Sequence, residues 1–246
     1  MKNSLVLLLI AISIFANLCS CSKSPIIDEP TENLNVNPME FIGAEHNRIL
    51  DDVFAGGGFS DIHSLVDKLN QSASLTTLPI NYNDICATEL DDILTEIERA
   101  DYDIIRYLNS RISLESLEII REYLEDVKKT SSIHEVVSLT IDFDKMTNCS
   151  ALNQEDKNVL FAFSSVFVNS LKFWSEGFEE KTDIHTDRRK CRWYHWICIS
   201  VFDAAGAAGF VLLGPEAAIL AAGGISAVAA CCGWCGCTAC GDINCS

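Results

Sequence analysis

The spacing of apolar residues is the feature that most limits how this chain can fold. Between residues 85 and 108, apolar side chains recur at intervals of three and four, and residues 114–127 repeat the pattern. This spacing aligns the side chains on one face of an α-helix, whereas a half-buried β-strand would alternate apolar and polar residues. Alternating segments are scarce. We therefore predict an all-α protein, with a bundle-like helical body followed by a small apolar, Cys-rich helical hairpin or tail.

Capping residues predict where several helices begin and end. Ser132 and Glu135 have the spacing of a capping box, which closes the first turn of a helix. Asn153 is a favourable cap for the long run over residues 154–176, and Gly177 follows that run as a helix-ending residue. Two earlier helices are predicted near residues 43–54 and 60–71.

The first residues predict export from the cytoplasm. Lys2 precedes an apolar stretch over residues 5–15, the arrangement of a signal peptide that is too short to span a bilayer. Residues 18–21, Leu-Cys-Ser-Cys, resemble the bacterial lipobox, so Cys21 is the predicted lipidation site. The alternative is an ordinary signal peptide cut near Ser20, which would leave a soluble protein. We predict a cell-envelope protein anchored to a membrane by lipid on Cys21, in the outer membrane rather than the inner one.

Composition divides the chain into five predicted segments. Prolines and polar residues follow the lipobox, which is typical of an extended tether without a core of its own. The segments are a signal peptide over 1–20, a lipidated tether over 21–38, a helical body over 39–180, a basic linker over 181–192, and an apolar Gly/Ala- and Cys-rich region over 193–246.

Charge and histidine placement narrow the function. The formal net charge of −17 argues against nucleic-acid binding, which needs a basic face. His63, His134 and His185 stand apart from any recognisable nucleophile motif. We therefore predict a protein that is not an enzyme, has no cofactor and binds no nucleic acid.

Cysteine content is the second strong signal. The chain has twelve cysteines, and loss of Cys19 with lipidation of Cys21 leaves ten. Exported proteins preserve disulfides, so we predict disulfides among these ten, while the sequence leaves their pairing open. The ten are Cys86, Cys149, Cys191, Cys198, Cys231, Cys232, Cys235, Cys237, Cys240 and Cys245. An alternative is a metal site, for which the closely spaced thiols are Cys232, Cys235, Cys237 and Cys240.

Residues 37–51 carry a resemblance to a known group. They read Asn-Pro-Met-Glu-Phe-Ile-Gly-Ala-Glu-His-Asn-Arg-Ile-Leu-Asp and resemble the opening of uncharacterised exported lipoproteins from Bacteroidota. The resemblance implies an envelope-anchored helical protein and no known activity. Within this segment His46, Asn47 and Asp51 form a possible polar site, because Asn47 and Asp51 are four residues apart on a helix. The alternative, which we favour, is that these side chains bond locally and fix the first helix against the body.

The C-terminal region separates the remaining hypotheses. Residues 197–232 are apolar and rich in Gly and Ala, and a basic, aromatic cluster over 188–196 precedes them. If Gly214 and Pro215 break the run, arms of about 10 and 14 residues reach roughly 15 and 21 Å, short of a 30 Å bilayer core. We predict a compact hairpin that packs on the body or dips into one leaflet, with 193–232 as the segment that contacts membrane or protein.

We predict a membrane-anchored envelope lipoprotein that acts as a non-catalytic interaction or structural protein with a disulfide-stapled C-terminus. The first alternative is a membrane-active effector, because the Gly-rich apolar stretch and clustered cysteines of residues 188–246 resemble some bacteriocin-like peptides in composition. The second alternative is an envelope metal-binding protein that uses the C-terminal cysteine cluster.

Overall fold

A computed structural model of the chain describes residues 37–55, 58–77, 86–177 and 193–235. Those residues contain nine α-helices and no strand, which confirms the all-α prediction. The helices are α1 (Glu40–Phe54), α2 (Ile62–Ser74), α3 (Ala87–Arg99), α4 (Ile104–Leu108), α5 (Leu114–Val127), α6 (Ile133–Cys149), α7 (Gln154–Lys172), α8 (Trp193–Phe210) and α9 (Pro215–Cys231). A π-helical turn (Phe173–Gly177) extends α7, and a 3-10 turn (Val211–Leu213) joins α8 to α9. The predicted signal peptide, Cys21 and most of the tether lie outside the described residues.

Side-chain caps begin the helices where the sequence predicts them. The Ser132 hydroxyl accepts a hydrogen bond from the Glu135 backbone N–H, and the Asn153 side chain accepts one from the Asp156 N–H. Each cap satisfies a backbone donor that the first turn of a helix leaves without an intrahelical partner. The predicted capping box is only half formed, because the Glu135 carboxylate accepts from the backbone N–H of Ser131 instead of Ser132.

The helical stripe predicted over residues 85–108 is broken in the structure. Asp101 and Tyr102 have φ angles of 58° and 56°, in the left-handed region that a continuous right-handed helix excludes. The segment therefore folds as α3 and the short α4, whose first turn the Asp103 carboxylate caps. The apolar spacing shows which side chains are buried, but it does not reveal this turn.

The centre of the bundle is α7, which packs against α1, α6 and α8. Its buried side chains include Phe161, Phe163 and Phe167, and its extension places Trp174 in the core. Helices α8 and α9 lie side by side as a hairpin that also packs on α1. The hairpin belongs to the same compact unit as the body, which spans Val36–Ser246. The predicted C-terminal hairpin therefore packs against the helical body within one unit.

The two arms of the hairpin are longer than the sequence suggests. Helix α8 has 18 residues and α9 has 17, which corresponds to about 27 and 25 Å. The prediction of shorter arms is wrong because α8 begins at Trp193 and runs on through the polar residues Ser200 and Asp203. Residues Tyr194–Leu213 are apolar and long enough to cross a bilayer. However, 56% of the most apolar 18-residue stretch within them is buried inside the bundle.

Candidate functional site

A polar cluster lies at the centre of the bundle, where four helices each supply one side chain. His46 comes from α1, Ser170 from α7, Asp203 from α8 and Ser226 from α9, and all four are completely buried. His46 Nε2 lies 3.7 Å from Asp203 Oδ2. The same carboxylate oxygen accepts a hydrogen bond of 2.7 Å from Ser226 and a second one from Ser170.

A second layer of hydrogen bonds supports this cluster. The indole N–H of Trp174 donates a hydrogen bond to Ser226 Oγ at 3.2 Å, and the Ser226 hydroxyl in turn donates one to Asp203. The Ser200 hydroxyl donates to the Trp196 carbonyl at 2.9 Å and lies 3.1 Å from Ser170 Oγ. The π-helical turn after α7 positions Trp174, whose ring stacks on that of Trp196.

Burial sets the charges of the cluster. It lowers the pKa of His46 to about 4, which the hydrogen bond with Asn47 only partly opposes. It raises the pKa of Asp203 to about 7, although the hydroxyls of Ser170 and Ser226 favour the charged form. Both groups are therefore neutral over much of the range between pH 4 and pH 7. Within the described part of the chain, His46 Nε2 and Asp203 Oδ1 have no hydrogen-bond partner.

The cluster contains the side chains of a serine hydrolase but not their arrangement. A nucleophilic serine needs a histidine base within hydrogen-bond reach, with the carboxylate behind that histidine. Here Ser170 donates to Asp203, and His46 Nδ1 lies 3.0 Å from Asn47 Oδ1. All four side chains of the cluster are buried from solvent, and their polar contacts link helices to one another. We call this cluster the polar brace.

The predicted polar site is only partly assembled. His46 and Asn47 lie together, and the Asn47 side-chain amide donates to the Asn169 carbonyl of α7 at 2.9 Å. This is the helix-fixing role that we favoured from the sequence. Asp51 lies one turn further along α1 and is half-buried. The carboxylate that lies near the His46 ring is that of Asp203, which the sequence did not place in this site. The available signal for Asp203 was a lone carboxylate inside a long apolar run.

Other residues of the segment 37–51 also fix α1 against the rest of the bundle. The Asn37 side-chain amide donates to the Phe161 carbonyl at 2.9 Å and to Asp144, whose pKa burial raises to about 6. The Gly43 N–H donates to Ser165 Oγ at 3.1 Å, and a Cβ on Gly43 would overlap the Ser165 carbonyl. Several residues of the segment 37–51 therefore make the contacts that hold α1 against α7.

Disulfides tie the open end of the α8–α9 hairpin. Cys198 in α8 is bonded to Cys235, and Cys231 and Cys232 are also disulfide-bonded. Because Cys232 and Cys235 are oxidised, neither offers a thiolate to a metal, which removes two of the four ligands of the metal alternative. No group of three or more potential metal ligands occurs among the residues that the structure describes.

Two other cysteines, Cys86 and Cys149, lie among the described residues. Cys86 carries a free, exposed thiol, and Cys149 is exposed as well. The predicted disulfide at Cys149 stays a prediction. Cys86 directly precedes α3 as its N-cap, and Cys149 is the last residue of α6. Of the ten cysteines predicted to form disulfides, Cys191, Cys237, Cys240 and Cys245 lie outside the described residues.

A groove of about 450 Å³ opens on the surface between α3 and the turn of the hairpin. Its apolar lining includes Ile93, Phe210, Leu213 and Leu220, and Leu213 is 72% exposed. Carboxylates stand along its edges, and one guanidinium is among them. These charged residues are Glu89, Asp92, Glu96, Arg111 and Glu216.

In its architecture, the protein is an all-α bundle that includes an apolar hairpin closed by a disulfide. It has a buried, neutral polar brace around Asp203 and an open groove beside Leu213. Comparison of the chain with protein-family profiles, with curated proteins and with solved structures gives no significant match. The resemblance of residues 37–51 to Bacteroidota lipoproteins therefore stays a prediction.

Proposed function

We propose that this protein is a lipid-anchored envelope protein that works by binding a partner and not by catalysis. The observation that carries the proposal is the contrast between its two sites. The His46–Asp203 cluster is sealed, whereas the groove beside Leu213 combines exposed apolar surface with charged edges. Exposed apolar surface framed by polar residues is characteristic of interaction sites.

The anchor in this proposal rests on the lipobox-like residues 18–21. The disulfide between Cys198 and Cys235 fits an oxidising compartment outside the cytoplasm, where such bonds persist. Two or more acyl chains on Cys21 would hold the protein stably on a membrane, and we favour the outer membrane. A protein whose full chain has a formal net charge of −17 would be repelled from an anionic lipid surface.

Metabolic labelling tests the anchor. Cells that express the full chain are grown with radiolabelled palmitate, and the membranes are separated by density. We expect label on the wild-type protein and its loss in Cys21→Ser, because Cys21 supplies the acylated sulfur. The matched variant Cys19→Ser should keep the label. Label that survives in Cys21→Ser would contradict lipidation at this residue.

Site-specific photo-crosslinking tests the binding role. A photoreactive phenylalanine derivative replaces Leu213 at the groove or Leu75 at the end of α2, two leucines that are 72% and 65% exposed. Illumination of intact cells should give a discrete adduct from position 213 and none from position 75. Identical adducts from both positions, or none from position 213, would contradict a binding role for the groove.

The hairpin supports a second candidate, a membrane-active effector that acts through residues 188–246. Helices α8 and α9 are apolar on every side, and their lengths lie near the lower limit for crossing a bilayer. The exposed Leu212 and Leu213 form the tip that would enter lipid first.

Dye release from vesicles of phosphatidylethanolamine and phosphatidylglycerol tests this candidate with the chain from residue 22 onward. A membrane-active protein should release dye, and Leu212→Asp with Leu213→Asp should abolish release because two charges at the tip oppose entry into hydrocarbon. The matched pair Leu75→Asp with Leu114→Asp should release as much as wild type. Intact vesicles with the wild-type protein would rule the candidate out.

A further inference from the structure

We propose that the groove between α3 and the α8–α9 turn binds a cationic amphipathic helix of a partner protein. This inference rests on the proposed binding function and adds the chemistry of the partner to it. Three features carry it: the spacing of the carboxylates on α3, the placement of the single guanidinium, and an apolar floor that is partly open to water.

The carboxylates of α3 form a regular edge. Glu89, Asp92 and Glu96 are separated by three and four residues, so they lie on one face of the helix together with Ile93. From Glu89 to Glu96 the edge is about 10 Å long, or two helical turns. A ligand helix laid along it would present cations at the same spacing of three and four.

Glu216 faces this edge from the first turn of α9, across the floor of the groove. Arg111 forms an ion pair with Glu96, and its guanidinium lies 4.9 Å from the centre of the Tyr107 ring and 4.8 Å from that of Phe210. The arginine therefore neutralises one carboxylate and is held against two rings. Glu89 accepts a hydrogen bond from the Cys86 backbone N–H, so Asp92 and Glu216 are the charges best placed to meet a cationic ligand.

The floor of the groove is apolar and incompletely covered. Ile93 and Leu220 are buried beneath it, Phe210 is half-buried, and Leu213 projects into solvent. A partner that covers Leu213 gains the free energy of removing that side chain from water. An apolar floor between acidic edges is complementary to a helix with leucines on one face and lysines beside them.

Competing occupants differ in what they would need from the groove. A small organic amine would use the apolar floor and one carboxylate, and would not need two turns of regularly spaced charge. An acidic helix would meet repulsion from the groove edges and from the other charges of a chain whose formal net charge is −17. The length and sign of the α3 edge therefore favour a basic helix.

Fluorescence anisotropy tests the proposal with the chain from residue 22 onward, which retains every described residue. The probe is a labelled 18-residue peptide of leucine and lysine, arranged so that an α-helix has one apolar face. Its controls are a scrambled peptide of the same composition and a peptide in which glutamate replaces lysine. We expect saturable binding of the amphipathic cationic peptide only, weakened when salt is raised from about 50 to about 300 mM.

Variants locate the binding. Asp92→Asn with Glu216→Gln should weaken it about fivefold, as expected for two rim charges. Leu213→Asp should weaken it at least about tenfold, because the apolar contact is lost. The matched controls are Glu122→Gln with Asp142→Asn for charge, and Leu75→Asp for exposed leucine. Far-UV circular dichroism must be unchanged in each variant.

Equal binding of the scrambled or the acidic peptide would overturn the proposal, as would binding that the groove variants leave unchanged. Tight binding of a small alkylamine in competition with the peptide would assign the groove to small cations instead. Failure here is distinguishable from failure of the binding function. An adduct from position 213 in cells, without binding of the cationic peptide, would overturn only the partner chemistry, whereas loss of both results would overturn both proposals.

Discussion

Folding changes which of the two side chains, His46 or Asp203, is protonated. In the unfolded chain at pH 5, the histidine is protonated and the aspartate is ionised. In the bundle, burial lowers the pKa of His46 to about 4 and raises that of Asp203 to about 7, so the aspartate holds the proton. The pair binds about the same number of protons in both states between pH 4 and 6.5, and its contributions to the pH dependence of stability nearly cancel there.

Removing Asp203 should expose the opposing contributions. A carboxyl whose pKa is raised by folding loses stability as pH rises from its unfolded pKa to its folded pKa. The free energy of unfolding of Asp203→Asn minus that of wild type should therefore increase from pH 4 to pH 7, by at most about 1.4 kcal/mol per pH unit. Urea unfolding followed by circular dichroism at several pH values measures this difference. The exposed Asp142→Asn should give a flat difference, and a flat difference for Asp203→Asn would contradict a buried protonated carboxyl.

Gly43 sets how closely α1 approaches α7. In an exposed helix, replacing glycine by alanine stabilises by about 1 kcal/mol. Here the new Cβ would overlap the Ser165 carbonyl and the Asn169 side chain, so Gly43→Ala should destabilise by about 1–3 kcal/mol through overpacking. Gly209→Ala is the matched control, because its Cβ would meet mainly the flexible Arg111 side chain at 3.2 Å. Urea unfolding should separate the two variants, and equal stabilities would argue against a close α1–α7 contact.

At the scale of helices, the sequence predicts those elements whose signals are local. The Ser132 and Asn153 caps and the apolar stripe of α5 depend on neighbouring residues, and the structure has these helices where the pattern predicts them. The break at Asp101 was missed because positive φ at two non-glycine residues has no strong sequence signal. The sequence does not show that α8 begins at Trp193, because Ser200 and Asp203 interrupt its apolar run. These two polar residues are accommodated by Ser170 and Ser226, which lie far away in sequence.

The Cys198–Cys235 disulfide closes the end of the hairpin opposite its turn. It spans a separation of 37 residues, and a loop of this size restricts the unfolded chain enough to stabilise the fold by about 2–4 kcal/mol. Cys198→Ser with Cys235→Ser should lower the midpoint of thermal unfolding accordingly. The exposed Cys86→Ser should leave the midpoint unchanged. Adding reductant should lower the midpoint of Cys86→Ser more than that of the double variant, because only Cys86→Ser still has the Cys198–Cys235 bond to lose. A double variant as stable as wild type would contradict a stabilising role for this bond.

At the scale of the whole molecule, the candidate sites depend on residues that are far apart in sequence. The central cluster joins His46 to Asp203 and Ser226, and the groove joins α3 to α9. Sequence spacing identified His46 and Asn47, whose partnership is local. It did not identify Asp203 as their neighbour, because the pairing depends on how α1 and α8, which are far apart in sequence, both pack against α7.

The same packing makes the body dependent on its C-terminal hairpin. Helices α8 and α9 cover buried faces of α1 and α7, and without them Ile49, Leu69 and Leu90 lose the Gly223 and Gly224 surface that they contact. A chain that ends at residue 192 should therefore keep much of its helical signal in far-UV circular dichroism but lose a cooperative thermal transition. It should also bind the dye ANS, which reports exposed apolar surface in loosely packed states. The chain over residues 22–246 is the reference and should melt cooperatively without binding the dye. A cooperative transition at the same temperature in the shorter chain would mean that the helical body folds alone, and that the hairpin is an accessory which rests on a finished core.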